Sequence, residues 1–202
     1  MADITLYSHV RGPNPCKVVA LMRELNISYE TVFPDLSNKT LDFTDTTPNG
    51  RVPVIVDHRR NDKTLWESVA ILLYLEHHYD KENRLWFTNE DDIADANQWL
   101  LFQASGIDLV LIPAPRENPI GHHRILGVVE KHLEGKEYFV GNKYSIVDIN
   151  NYVWLFLTPL ILGYNGENAF EKYPNTGAYM KRLGEHKGIK EAYAEKAALE
   201  QK

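Results

Sequence analysis

The chain has 202 residues, of which 44% are apolar, 25% charged and 11% aromatic. This length suits one large domain or two small ones, and the composition excludes collagen-like, low-complexity and disordered chains. The net charge of -6 argues against non-specific binding to nucleic acid or to an anionic membrane. Cys16 is the single cysteine, and no apolar run reaches the roughly 18 residues of a membrane span. We therefore expect a soluble, cytoplasmic protein of a reducing compartment.

The first part of the chain, to about residue 80, alternates strand and helix patterns. Residues 4–7 have the pattern of a short buried strand, and a helix follows with Pro15 at its first position. A second strand is predicted over 29–33. The strand–helix–strand order implies that the two strands pair in parallel.

A hairpin and a helix are predicted to complete this half. The third strand spans 52–56, where Pro53 argues against a central position in the sheet unless its prolyl bond is special. A turn at 60–63 leads to a fourth strand over 64–66, and Ser68 begins a helix that runs to about Tyr79.

From about residue 88 onward the sequence predicts helices alone. They are expected at 89–111, at 119–134, after a capping box at 145–148, and at about 173–187 and 189–200. The predicted architecture is therefore an α/β domain of residues 1–80 followed by an all-helical domain of residues 88–202.

Four motifs, in order, carry a resemblance that covers nearly the whole chain. They lie at residues 6–18, 48–53, 67–71 and 141–149. The chain resembles the cytosolic glutathione transferases, above all the fungal branch that includes the yeast nitrogen-repression regulator and the bacterial Nu-like enzymes. The resemblance implies a thioredoxin-like N-terminal domain with a mixed four-stranded sheet, a helical-bundle C-terminal domain, a homodimer, and glutathione as co-substrate.

The motif at 67–71 offers partners for one end of glutathione. Glu67 can pair with the γ-glutamyl ammonium. Ser68, at a helix start, can bind the neighbouring carboxylate through its N–H, its hydroxyl and the positive end of the helix dipole. The structural alternatives are an N-cap for Ser68 and a first-turn dipole partner for Glu67.

The motif at 48–53 offers partners for the rest of the tripeptide. The resemblance implies a cis bond between Val52 and Pro53, which would let the Val52 backbone pair with the cysteinyl backbone of glutathione. The alternative is an ordinary trans proline. Arg51, with Lys39 or Asn38, is the candidate for the glycyl carboxylate. The branch commonly has a histidine in place of Asn38, which leaves the charge to the two cations; their alternative is a solvated surface position.

Three residues are candidates for contact with the thiol, which must be held as a thiolate at neutral pH. Asn14 stands where the branch places its thiolate-stabilising asparagine and is the catalytic candidate; the alternative is a helix cap. Tyr7 follows the first strand, as the tyrosine of animal-type classes does, and packing is its alternative. Cys16 is either a mixed-disulfide nucleophile or a small buried apolar side chain. Pro15 replaces the usual glycine and removes one N–H from the helix start.

The second substrate is expected to bind between the domains. The stretch around 107–124 is shorter than in relatives, so the electrophile pocket is either open and shallow or reshaped for a particular substrate. His122 and His123 are candidates to line it as proton donors or cations, with a solvated helix face as the alternative. No metal site is predicted.

The predicted function is conjugation of the glutathione thiolate to an electrophilic small molecule, or reduction of a peroxide, in detoxification. Two alternatives stay open. One is a glutathione-dependent isomerase or tailoring enzyme of fungal secondary metabolism, and the other is a non-catalytic regulatory protein of the same fold.

Overall fold

The computed structural model describes residues 2–35, 47–107, 119–158 and 170–201. They divide into two compact units. The first is Met1–Glu82 together with Lys187–Lys202, and the second is Asn83–His186.

A four-stranded mixed sheet forms the base of the first unit. Its strands are β1 (Ile4–Tyr7), β2 (Tyr29–Val32), β3 (Val54–Asp57) and β4 (Lys63–Trp66), in the spatial order β2-β1-β3-β4. As predicted, β1 pairs in parallel with β2, and β3 forms an antiparallel hairpin with β4.

The position of β3 meets the exception that was stated for Pro53. The strand lies inside the sheet, between β1 and β4, and the bond between Val52 and Pro53 is cis. Pro53 precedes β3, which begins at Val54, so every residue of the strand keeps its N–H group for the ladder.

In the described residues, the α-helices of the first unit are α1 (Pro13–Glu24), α2 (Ser68–Tyr79) and a helix near the end of the chain, labelled α7 (Lys187–Glu200). The bounds of α2 are those predicted. Helix α1 begins at Pro13, two residues before the predicted start at Pro15. Asn26 follows its end with a φ of 53°, the left-handed conformation expected of a helix stop.

Helix α7 differs from the predicted arrangement because it packs on α1 rather than joining a helical domain of residues 88–202. Gly188 makes the approach possible, since a Cβ atom there would collide with the carbonyl oxygen of Ala20. Its N–H group donates to Glu24 Oε1 at 2.8 Å. The observed approach of α7 to α1 therefore requires a glycine at this position.

The described part of the second unit is helical. Its helices are α3 (Glu90–Phe102), α4 (Pro119–His132), α5 (Ile146–Leu155) and α6 (Pro174–Leu183), with a π-helical turn at Gln103–Ile107 directly after α3. The predicted continuous helix over 89–111 is thus interrupted at residue 103. The capping box at 145–148 is confirmed. No helix in the described ranges combines the length and the apolar character needed to cross a bilayer.

Candidate functional site

The strand register brings three of the sequence motifs to one end of the sheet. Tyr7 of β1 pairs with Val54 of β3, and Val54 pairs with Trp66 of β4. Pro53 immediately precedes Val54 in the chain, and Glu67 immediately follows Trp66, so both lie next to this row. Residues that are distant in sequence therefore meet at the end of the sheet defined by this row, which we call the motif end.

The segment before β3 has the geometry that the resemblance implied. The bond between Val52 and Pro53 is cis. Pro53 is buried, Val52 is half-buried and Arg51 is exposed. Asn38 and Lys39, the other candidates for the glycyl carboxylate, lie outside the described residues.

Glu67 has an unusual backbone conformation at the start of α2. It is the N-cap residue, with φ 69° and ψ 112°, a region that costs a residue with a side chain on the order of 1–3 kcal/mol and is found preferentially at ligand sites. Its side chain is exposed and forms no capping hydrogen bond. Ser68 is the first helical residue and is 9% exposed. The structural alternative that made Ser68 the N-cap is therefore wrong.

The start of α2 combines charges of opposite sign. An α-helix leaves its first N–H groups without carbonyl partners in the helix and places a partial positive charge there. The carboxylate of Glu67 stands at the same position and is exposed. An anion can bind the N–H groups while a cation binds Glu67, which matches the carboxylate and ammonium of an α-amino acid.

The start of α1 has few backbone donors because of its prolines. Gly12 is the N-cap, and its N–H group donates to the carbonyl oxygen of His9 at 2.9 Å. Pro13 and Pro15, at the first and third helical positions, have no N–H group. Asn14, between them, is half-buried and supplies the remaining donor of the first turn. It is the second helical residue, so the alternative that made it the cap is wrong.

Cys16 lies inside the first unit and is 6% exposed. Burial raises the pKa of its thiol to about 11, so the thiol is protonated at neutral pH and a poor nucleophile. The cavity beside it measures about 30 Å³, room for little more than a water molecule. This environment argues against the disulfide-exchange alternative and leaves Cys16 as a packing residue.

Tyr7 and Lys17 stand near Asn14 in the chain. Tyr7 ends β1 in the motif end and is half-buried. Lys17, three residues after Asn14 and on the same helix face, is only 1% exposed. Lysine is almost never buried this far without a polar partner. No sequence pattern singles out Lys17, because its burial follows from tertiary packing.

The two histidines proposed for the second-substrate pocket have different surroundings. His122 is completely buried in the second unit and presents no surface to a ligand, which contradicts its predicted place in the pocket. His123 is exposed, and its Nδ1 lies 2.6 Å from the hydroxyl of Tyr173. Residues 108–118 of the shortened stretch lie outside the described ranges.

Comparison with known families decides the class of protein. The model of the glutathione S-transferase N-terminal domain matches residues 2–77, and that of the C-terminal domain matches residues 114–187. The chain belongs to the glutathione S-transferase family.

Fungal proteins of this family are similar over the whole chain. Glutathione S-transferase 2 of Schizosaccharomyces pombe is 36% identical over 98% of this chain and 97% of its own. The glutathione S-transferase-like protein OpS6 of Beauveria bassiana is 32% identical over 98% of both chains. Among solved structures, Ure2p5 of Phanerochaete chrysosporium, cocrystallised with 1-(S-glutathionyl)-2,4-dinitrobenzene, has a TM-score of 0.86 at 34% identity, covering 100% of this chain and 98% of its own.

Proposed function

We propose that this chain is a glutathione transferase that binds glutathione at the motif end of the sheet and transfers its thiolate to an electrophilic small molecule. The start of α2 carries the proposal. There the structure holds an exposed carboxylate on a strained residue, Glu67, beside helix N–H groups. Neither a simple helix cap nor a solvated surface accounts for that combination.

The tripeptide would extend across the motif end from α2 to the segment before β3. Glu67 binds the γ-glutamyl ammonium, and Ser68 binds the carboxylate through its N–H and hydroxyl groups. The Val52 backbone, next to the cis bond to Pro53, pairs with the cysteinyl residue. Arg51, together with Lys39 or Asn38, binds the glycyl carboxylate.

The thiol would then lie at the start of α1. The side-chain amide of Asn14 donates to the sulfur, and the helix dipole adds positive potential, so the thiolate is favoured. The thiolate attacks an electrophilic carbon and forms a thioether, while the leaving group departs with the electron pair of the broken bond. Tyr7 is the alternative donor. Cys16 takes no part because its thiol stays protonated.

A second candidate is a glutathione-dependent isomerase or tailoring enzyme with a specialised substrate. Its support is the alignment with the S. pombe protein, which runs over 225 positions against the 202 residues of this chain. The relative therefore has segments that this chain lacks. A shorter chain favours a reshaped electrophile pocket.

Calorimetric titration with glutathione, followed by turnover of 1-chloro-2,4-dinitrobenzene and of cumene hydroperoxide, tests the proposal. We expect binding, thioether formation and a rate that depends on Glu67. Binding without turnover of either compound would favour the non-catalytic regulator or the tailoring enzyme. No binding of glutathione would contradict the whole proposal.

We also propose that the protein is a cytoplasmic homodimer. The proposal rests on the resemblance to the glutathione transferases, which implies a homodimer, and models of that family match both parts of the chain. Light scattering should give twice the 23.3 kDa mass of the chain. A monomer at micromolar concentration would contradict this proposal.

A further inference from the structure

The end of the sheet opposite the motif end collects positive charge. Ile4, Asp57 and Lys63 form the last row there, three residues along the strands from Tyr7, Val54 and Trp66. That spacing is roughly 10 Å. Helix α2 runs from the motif end to this one. We give the name hairpin cation cluster to four cations and one histidine: Arg59, Arg60 and Lys63 on the β3–β4 hairpin, His78 in the last turn of α2, and Lys81 after the end of α2.

The hairpin cation cluster surrounds two neighbouring surface depressions. One measures about 480 Å³ and is lined by Arg59, Arg60, Asn61, Lys63, Tyr74 and His78. The other measures about 340 Å³ and is lined by Arg59, Arg60, His78, Tyr79 and Lys81. Arg59, Arg60 and His78 line both depressions and form the wall between them.

A buried carboxylate fixes the backbone that carries the two arginines. Asp57 is completely buried and accepts hydrogen bonds from the hydroxyls of Tyr74 and Tyr79, each at 2.9 Å, and from the Arg59 N–H at 3.0 Å. Burial and the neighbouring carboxylate raise the pKa of Tyr74 to about 12, so its hydroxyl remains a donor. The hairpin is thus tied to α2, and the depression has a preformed wall.

The negative charges of this region are already engaged. Arg59 Nε donates to Asp3 Oδ1 at 2.7 Å, and Asp62 pairs with His58 at 2.6 Å. Within the described ranges, no carboxylate forms an ion pair with Arg60, Lys63 or Lys81.

The cations of the cluster affect the titration of His78. Burial lowers the pKa of His78, the charges of Arg60, His77 and Lys81 lower it further, and the Asp57 carboxylate acts in the opposite direction. Arg60, Lys63 and Lys81 form no ion pair in the described ranges. In a chain of net charge -6, a group of three such cations contrasts with the average surface and favours an anionic ligand.

We propose that the hairpin cation cluster binds an anion that carries two or more phosphate groups. The planar guanidinium of Arg60 matches phosphate oxygens in pairs, and the lysines add point charges. The two depressions share a wall but are separate, so a ligand with linked phosphates can fill both. The site lies at the opposite end of the sheet from the proposed glutathione site and is independent of it.

Calorimetric titration of the full chain with inorganic tripolyphosphate, at low and at physiological salt, tests the proposal. We expect binding that weakens with salt and far weaker binding of monophosphate. The double variant Arg60→Gln/Lys63→Gln should bind tripolyphosphate about tenfold more weakly or worse. The exposed Lys131 in α4 provides a matched control, since Lys131→Gln makes the same kind of change outside the cluster and should leave the affinity unaltered.

The remaining arms identify the ligand and protect the result from a folding artefact. Thermal unfolding and glutathione affinity of the double variant should match those of the original chain. Tighter binding of adenosine triphosphate than of tripolyphosphate would make a nucleotide the ligand, and equal binding would make it an inorganic polyphosphate. Unchanged tripolyphosphate affinity in the double variant would overturn the proposal. Tighter binding of a polyglutamate peptide would also overturn it, in favour of an acidic protein partner.

Discussion

The starts of α2 and α5 differ in how their first backbone N–H groups find hydrogen-bond acceptors: α5 has a capping box, and α2 has no side-chain cap. In α5, Ser145 Oγ accepts from the Val147 N–H at 3.2 Å, and Asp148 Oδ2 accepts from the Ser145 N–H at 2.9 Å. Asp148 is completely buried. In α2 the N-cap is Glu67, whose carboxylate forms no capping hydrogen bond, is exposed, and sits on a backbone with φ 69°.

This difference separates a helix start built for stability from one suited to a ligand. The donors near α5 are satisfied by the protein itself, so nothing further can bind there. At α2, Glu67 has a strained backbone and its side chain forms no capping hydrogen bond that would offset the strain. We infer that glutathione supplies the missing partners, and the variants below are chosen to break one helix start without touching the other.

The largest effect is expected for Asp148→Ala. Its carboxylate accepts hydrogen bonds from the Phe139 N–H, the Ser145 N–H and the Tyr179 hydroxyl, at 2.9–3.0 Å. Removing it leaves buried donors without an acceptor, and the free energy of unfolding should fall by at least about 3 kcal/mol. Denaturant unfolding measures this. A loss below about 1 kcal/mol would show that the capping box is not structural.

The pH dependence of stability gives a second view of Asp148. Burial raises the pKa of its carboxyl from 3.8 to about 6, although hydrogen bonds act in the other direction. The folded state therefore holds this proton at pH values where the unfolded chain has released it, and the contribution to stability is lost as the pH rises from about 4 to 6. In Asp148→Asn, denaturant unfolding over this range should lack that component.

Local patterns explain which parts of this contrast the sequence predicts. The residue types and spacing of the capping box are enough to predict the start of α5. The spacing of apolar residues predicts the bounds of α2. The positive φ of Glu67 is not encoded by residue type, because glutamate has no preference for that region. It arises where β4 ends and α2 must begin.

Long-range packing accounts for the remaining errors. Gly188 looks like an ordinary residue near a helix start, and only the docked α7 shows why no larger side chain fits. The burial of Cys16 likewise depends on that helix, which contributes Ala192, Glu195, Lys196 and Leu199 to the adjoining cavity. His122 was expected to line the second-substrate pocket because it lies beside the shortened stretch and can act as a proton donor or a cation, but the structure buries it completely.

The next largest effect is expected at Glu67, where two substitutions should separate strain from binding. Glu67→Gly removes the charge and relieves the positive φ, so glutathione affinity should fall by about 1.5–3 kcal/mol while stability rises by about 0.5–1 kcal/mol. Glu67→Gln should lose a similar affinity and gain no stability. Calorimetry and thermal unfolding of both variants measure the two effects. Normal glutathione affinity in the glycine variant would show that the Glu67 carboxylate does not bind glutathione.

A smaller effect is expected for Asn14→Ala. If the amide donates to the sulfur, its loss should raise the pKa of the thiol of bound glutathione by about one unit. The activation free energy of transfer at neutral pH should rise by about 1–2 kcal/mol. The cost stays below the roughly 3 kcal/mol of a donor in a dry site, because the dipole of α1 remains. Thiolate absorbance in the ultraviolet, followed against pH, measures the shift directly. An unchanged titration would show that Asn14 does not contact the thiol.

The smallest effects are expected for Tyr7→Phe and Cys16→Ser. The tyrosine variant keeps the ring and loses only the hydroxyl, so both thiolate absorbance and turnover should stay within about twofold of the original chain.

The serine variant replaces a thiol that is protonated at neutral pH, so conjugation should continue even if the buried hydroxyl lowers stability by about 1 kcal/mol. These two variants sharpen the result for Asn14 because all three residues are candidates for contact with the thiol. A larger loss in Tyr7→Phe than in Asn14→Ala would replace the asparagine mechanism with a tyrosine one. A larger loss in Cys16→Ser would mean that the thiol is reactive despite its burial, and that disulfide exchange is the activity to measure.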